Sequence, residues 1–232
     1  MPENKHEGHR ERVRRDFLEN GFSETTPPHK ILEMLLFYSI PRRDTNEIAH
    51  ELINTFGSIQ GVFDAPIDQL LKVKGITENT VALLKMILPI ASIYRAEKVN
   101  HDKNFTSTNQ IGDYLLEKYL CYTKETVAIT SFNGKGQILG FDVLAEGDSS
   151  SAELSIRKIL EIVMKRNPVC IVLSHNHPSG FAIPSNEDLA LTNKLFTLLA
   201  NINVRLLDHI IIANNDYVSL AQSRDYKAIF QK

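Results

Sequence analysis

The chain has 232 residues, 43% hydrophobic and 23% charged, with 26 basic and 28 acidic side chains and a formal net charge of -2. That length accommodates one large domain or two small ones, and a charge balanced on both sides of residue 100 gives no bulk positive field to recruit nucleic acid or an anionic membrane. Cys121 and Cys170 are too few and too far apart for a disulfide framework or a four-cysteine zinc site, so a reducing, cytoplasmic setting is expected.

Met1 to Arg15 is polar and has no apolar core of the kind a signal peptide carries. Arg10, Arg12, Arg14 and Arg15 alternate with Glu3, Glu7, Glu11 and Asp16, the pattern of a solvated helix face. His6 and His9 stand at a ligand-like spacing without a visible partner. Leucines and isoleucines at three- and four-residue intervals then predict helices over Lys30 to Tyr38, Thr45 to Phe56, Ile59 to Phe63, Ile67 to Val73 and Glu78 to Tyr94. The most apolar run, Val81 to Tyr94, contains Lys85 and Pro89, which argues against a membrane span. The apolar periodicity stops between Arg95 and Ser107, where Lys98, Asn100, His101, Asp102, Lys103 and Asn104 form a polar stretch. The expected organisation is an all-helical domain over residues 1–97, a linker over 98–106 and a second domain over 107–232.

In the second part strand and helix patterns alternate. A helix is predicted over Asn109 to Leu120, then strands Thr126 to Phe132 and Gln137 to Leu144 joined by Asn133-Gly134-Lys135-Gly136, a hairpin signal. A helix over Ser155 to Lys165, a short β-branched run Val169 to Leu173, a helix from Ser185 to Leu199, a strand Val204 to Ala213 and a hairpin at Asn214-Asn215-Asp216 complete a mixed α/β layer domain.

The chemistry concentrates in Ser174-His175-Asn176-His177-Pro178-Ser179-Gly180, followed by Ser185-Asn186-Glu187-Asp188. On an extended chain, residues two apart face the same way, so His175 and His177 can aim at one point while Asn176 faces away. Pro178 and Gly180 then end the strand and let the next helix begin beside the histidines, with Asp188 in its first turn. Two imidazoles and a carboxylate suit one Zn²⁺ per chain with a fourth position left to water. Ser185-x-x-Asp188 is also a capping-box pattern, and the two readings are compatible. The contiguous His175-Asn176-His177 is not the dispersed motif of an HNH nuclease, and the His-x-Glu and Cys-x-x-Cys of a nucleobase deaminase are missing.

His-x-His-Pro-x-Gly followed by Ser-x-x-Asp resembles the signature of the JAB/MPN (JAMM) metalloprotease domain. Ile171 to Gly180, Pro184-Ser185 and Leu207-Asp208-His209-Ile210-Ile211 resemble bacterial RadC proteins more specifically, over roughly Thr106 to Tyr226. The resemblance implies a mixed β-sheet flanked by helices in a cytidine-deaminase-like layout, and a metallopeptidase or isopeptidase acting on a polypeptide through a metal-bound water. Arg157 falls where that family usually has an Arg-Glu pair, with Lys158 in place of the acid. Hydrolysis also needs a carboxylate to move protons. Glu125, before the first strand, is placed like the JAB/MPN catalytic glutamate; Glu146, at the end of the second strand, is the other candidate. The plainer reading of Glu125 is a surface residue paired with Lys124 or Lys118. The family gives the Ser185 hydroxyl a second duty at the oxyanion. Asp208 and His209, in an apolar run, read as a core feature or as support for a ligand.

Leu70 to Glu78 resembles a helix-hairpin-helix element, with Gly75-Ile76 in place but Thr77 where a second glycine would let the backbone approach a phosphate. Lys72, Lys74 and Gly75 would carry a weak DNA contact, which Glu78 opposes. The two functional expectations are therefore a zinc metallohydrolase and, in second place, a DNA-associated repair or recombination factor whose zinc is structural.

Overall fold

The computed structural model describes residues 5–100, 104–147, 156–178 and 180–231. Met1, Glu3, His101, Asp102, Lys103, Ser155 and Ser179 lie outside the described residues, as do the side chains of His6, Glu7 and Asn100. The chain divides into two compact units, Met1–Ile90 and Ala91–Lys232.

The first unit is helical: α1 (Lys5–Asn20), α2 (Pro28–Leu36), α3 (Asn46–Phe56), α4 (Ile59–Asp64), α5 (Ile67–Leu70) and the start of α6 (Glu78–Asn100). The periodic residues are the ones removed from water: Leu32, Leu36, Leu52, Leu70 and Leu84 are fully buried in one core, each contributing about 2 kcal/mol of apolar transfer. Two members of the polar N-terminal segment are not simply solvated. The Arg10 guanidinium donates to the carbonyls of Ile40 and Pro41 at 2.7 and 2.8 Å, and to that of Arg43, so α1 is tied to the loop before α3. His9 Nε2 lies 2.9 Å from buried Glu33, whose other oxygen accepts from Asn46 Nδ2 at 3.1 Å. Helix α6 runs on past Tyr94 to Asn100. Toward its end Ser92 Oγ donates to the Glu117 carbonyl at 2.7 Å, Arg95 pairs with Glu117 at 2.7 Å, and Ala96 is buried.

The second unit continues with α7 (Thr108–Tyr119), β1 (Thr126–Phe132), β2 (Ile138–Glu146), α8 (Ile156–Arg166), β3 (Cys170–Asn176), α9 (Asn186–Ala200), β4 (Arg205–Ala213), β5 (Asp216–Ser219) and a 3₁₀ helix, Lys227–Gln231. Among the described residues the strands form one sheet in the order β2-β1-β3-β4-β5. Only β3 and β4 are parallel, because α9 carries the chain back between them; the other neighbours are antiparallel. Strand alternation sorts the side chains into two cores. Ala128, Phe132, Val172, Ile210 and Ile212 face α7, while Val127, Ile129, Ile171, Leu173 and Leu206 face α8 and α9. The second unit is a mixed sheet between helical layers, and a helical region precedes it in the chain. No described helix is long and apolar enough to cross a membrane.

The β1–β2 turn differs from a two-residue Asn-Gly hairpin. The left-handed residue is Gly136 (φ 76°), not Gly134. Asn133 Oδ1 accepts the N–H groups of Lys135 and Gln137 at 2.9 and 3.0 Å, which widens the turn and moves the strained position two residues on.

Candidate metal centre

Strand β3 ends at the site. His175 shares the sheet face of Ile171 and Leu173, and its cross-strand partner on β1 is Val127. His177 follows the strand, its backbone N–H held by the Ile212 carbonyl at 2.7 Å. The turn that follows reaches Ser185, the N-cap of α9, and this cap brings Asp188 to the histidines. Ser185 Oγ accepts the Asp188 N–H at 3.1 Å, and Asp188 Oδ2 accepts the Ser185 N–H at 2.8 Å, completing a capping box.

His175 Nε2 stands 2.9 Å from His177 Nε2 and 3.4 Å from Asp188 Oδ1. Donor atoms around a four-coordinate zinc with bonds of about 2.0–2.1 Å stand roughly 3.3 Å apart, so both spacings suit a shared cation. His175 and Asp188 are buried and His177 is half-buried, a setting that strengthens charge interactions. His177 Nδ1 donates to the Phe181 carbonyl at 2.9 Å, which leaves Nε2 as the free nitrogen of the neutral ring. Burial pushes the Asp188 carboxyl up, but the adjacent His175 imidazole and the two Ser185 donors outweigh it and hold it well below the usual carboxylate range.

A further histidine is present. Ligand atoms of His175, Asp188 and His209 all lie within 4.8 Å of one another, a cluster able to hold a metal ion. His209 comes from β4, opposite Leu173 in the parallel register, and is fully buried. It meets His175 at the other ring nitrogen, with His209 Nε2 2.9 Å from His175 Nδ1, and its own Nδ1 lies 2.6 Å from Thr192 Oγ1. Burial, and then the neighbouring His175, drive its pKa well below the ordinary histidine value, so it is neutral. The sequence signal was a histidine inside an apolar strand, which does not reveal its neighbour on β3.

Glu125 precedes β1, is exposed, and stands two residues before Val127, the cross-strand partner of His175. Its carbonyl accepts the Gly147 N–H at 2.9 Å. Lys118 is engaged elsewhere, its ammonium 5.7 Å from the Tyr114 ring centroid and 5.9 Å from that of Phe141. Glu146 is exposed opposite Thr126, and its charge acts on Cys121 and Tyr122; Tyr122 packs on the α7 face of the sheet, away from His175. Asn176 does face away from the imidazoles, and it has a task the sequence did not show. Its Oδ1 accepts the Thr126 N–H, and its Nδ2 donates to the carbonyls of Tyr122 and Lys124. Ser185 Oγ also donates to Asp188 Oδ2 at 2.7 Å. Arg157 pairs with Glu161 one turn along α8 at 2.9 Å, while Lys158 Nζ donates to the Leu144 carbonyl at 2.7 Å.

In the first unit, Gly75 takes φ 94° with Ile48 packed against it, and Ile76 is buried. Lys72 pairs with Asp68 at 3.7 Å, and Thr77 Oγ1 accepts the Thr80 N–H at 3.4 Å, at the start of α6. The site in the second unit is thus a small set of nitrogen and oxygen donors on two strands and a helix N-terminus, open at His177 and closed at His209.

This arrangement has relatives. A RadC-like JAB domain matches residues 105–226. The chain is 32% identical to a UPF0758 protein of Fusobacterium nucleatum, covering 96% of this chain and 98% of that one. It is 30% identical to a UPF0758 protein of Carboxydothermus hydrogenoformans, covering 92% of this chain and 94% of the relative. A third, from Alteromonas mediterranea, is 30% identical over 91% and 94% of the two chains. With its mixed sheet, its helical N-terminal region and these matches, the chain belongs to the RadC-like JAB domain family.

Proposed function

We propose that the protein is a zinc-dependent hydrolase of amide or isopeptide bonds in polypeptides, with His175, His177 and Asp188 holding the metal. The observation that carries this reading is the convergence of His175 Nε2 on His177 Nε2 and Asp188 Oδ1, at 2.9 and 3.4 Å. Histidine nitrogens with a single carboxylate are borderline donors suited to zinc rather than to magnesium or calcium. Zinc, when bound, supplies Lewis acidity to a scissile carbonyl and to water.

The chain's own groups then divide the remaining work. Glu125, exposed two residues before the cross-strand partner of His175, accepts a proton from the attacking water and returns it to the leaving nitrogen. Glu146 is less suited, since its charge bears on residues of the opposite sheet face. Ser185 stabilises the oxyanion by swinging its hydroxyl hydrogen from Asp188 Oδ2 toward substrate, and Oδ2 keeps the Ser185 N–H when it does so.

The test is metal analysis paired with turnover. The purified full chain should hold one zinc, lose it in His175→Ala and Asp188→Ala, and hydrolyse members of a quenched-peptide and lysine-isopeptide panel. Glu125→Gln should keep the zinc and lose roughly 100- to 10,000-fold in rate. A chain that stays empty in excess zinc overturns the proposal, as does Glu125→Gln with undiminished turnover for the assignment of Glu125.

A further inference from the structure

We propose that His209 is a positioning residue that fixes the tautomer of His175, so that His175 presents a bare Nε2 to a divalent cation; this rests on the metal-site reading above. The Asp188 carbonyl can only accept, so Thr192, 2.6 Å away, donates its one hydroxyl hydrogen to it. Thr192 Oγ1 is then an acceptor toward His209 Nδ1 at 2.6 Å, and that nitrogen carries the ring hydrogen of His209. A neutral imidazole has one N–H, so His209 Nε2 accepts. Its partner at 2.9 Å is His175 Nδ1, which therefore donates.

The consequence appears at the far side of the His175 ring. Its Nε2 has no hydrogen, and neither has the Nε2 of His177, whose Nδ1–H is committed to the Phe181 carbonyl. Two bare nitrogens 2.9 Å apart, with a carboxylate oxygen 3.4 Å from one of them, repel unless a cation lies among them. The assignment also separates the two roles open to His209. It touches His175 through Nδ1, the nitrogen that points away from His177 and Asp188, so it orients a ligand rather than replacing His177 as one.

The parts of this chain are rigidly placed. His209 and Thr192 are fully buried, and β3 and β4 run in parallel register with Leu173 opposite His209. Thr192 lies one turn beyond Asp188 on α9, and its hydroxyl bonds to the carbonyl of Asp188 itself. One helix therefore supplies a metal-facing carboxylate and, through Thr192 and His209, sets the polarity of the imidazole beside it.

The experiment uses the full chain labelled with ¹⁵N at histidine. In the metal-free protein at neutral pH, long-range ¹H–¹⁵N correlations should show His175 and His209 both as Nδ1–H tautomers. Zinc affinity, read by competition with a chromogenic chelator, should fall roughly 10- to 100-fold in His209→Leu. His209→Gln should recover most of the loss, because its amide oxygen can accept from His175 Nδ1 and its amide nitrogen can donate to Thr192. If His209→Leu does not fold, Thr192→Val breaks the same chain and should show the same loss.

An Nε2–H tautomer at His175 overturns the proposal. So does a folded His209→Leu, or Thr192→Val in its place, with wild-type zinc affinity, and this result leaves the metal site itself standing. A wild type that binds no zinc overturns the metal-site reading and the cation half of this proposal with it.

Discussion

The side chain of Asn176 accepts the backbone N–H of Thr126 at 2.7 Å. Its amide nitrogen reaches the carbonyls of Tyr122 and Lys124 at 3.0 and 3.1 Å, so the turn before β1 is pinned to the residue between the two histidines. Glu125 is the residue held between these anchors. Asn176→Ala leaves the Thr126 N–H buried without an acceptor and releases the turn. The expected cost is about 2–3 kcal/mol by chemical unfolding, since an orphaned buried donor alone costs about 1–3 kcal/mol. Zinc content should stay at one per chain while turnover drops, because the anchors act on Glu125 and not on the ligands. Joint loss of zinc and turnover would show that Asn176 supports the histidines instead.

Ser185 and Asp188 share a helix cap and a proposed metal site, and three substitutions separate these duties. Ser185→Ala removes the acceptor for the Asp188 N–H and should lower stability by about 1 kcal/mol, with zinc retained and turnover reduced. Asp188→Asn keeps a carbonyl oxygen for the Ser185 N–H, so the cap should survive to within about 0.5 kcal/mol while the charge, and with it tight zinc binding, is lost. Asp188→Ala should lose both. Equal zinc affinity in Asp188→Asn and wild type would remove Asp188 from the ligand set.

Much of this was legible in the sequence, for reasons that particular residues make clear. The β1, β3 and β4 runs are short and β-branched, and the capping pattern at Ser185 marks the start of α9, so the elements and the meeting of His175 with Asp188 follow from local chemistry. The interval from Arg95 to Asn100 did not read as helix because it lacks apolar periodicity, and the partner of Arg95 is Glu117 on α7, which is information held by Glu117 rather than by the interval itself. His209 was ambiguous for a related reason. It lies 34 residues beyond His175, and only the parallel pairing of β3 with β4 turns that distance into a 2.9 Å contact. The role of Asn176 was hidden because its partners are backbone groups, which no side-chain pattern can announce.

The β1–β2 turn offers a direct check on which glycine it needs. At Gly136 a Cβ would sit 2.6 Å from the Phe105 carbonyl oxygen, and φ is 76°. At Gly134 the nearest atom would be Val169 Cγ2 at 3.7 Å, an ordinary contact. Gly136→Ala should therefore destabilise by about 2 kcal/mol or more, from the left-handed backbone cost of about 1–2 kcal/mol together with the displaced Phe105 backbone. Gly134→Ala should stay within about 0.5 kcal/mol of wild type. Thermal unfolding of the pair measures both, and a larger loss at Gly134 would restore the simple Asn-Gly turn.

Asp208 gives the fold a pH dependence of unusual sign. Burial pushes its carboxyl up to about 6, against the opposing pull of the Ser219 hydroxyl and the N–H groups of Ala221 and His209. In the unfolded chain it titrates near its ordinary value of 3.8. Between these values the folded protein holds a proton that the unfolded chain has released, so stability falls as pH rises through this window and changes no further above it. A shift of about two units corresponds to roughly 3 kcal/mol. Asp208→Asn removes the titration and can still accept from Ala221 and His209. The difference in unfolding free energy, wild type minus variant, should therefore decline by about that amount between pH 4 and 7. Subtracting the variant cancels the opposite contribution of Asp188, whose depressed pKa gives stability that is lost at low pH. A difference that stays flat across the window would mean that the three donors hold Asp208 ionised in the folded state.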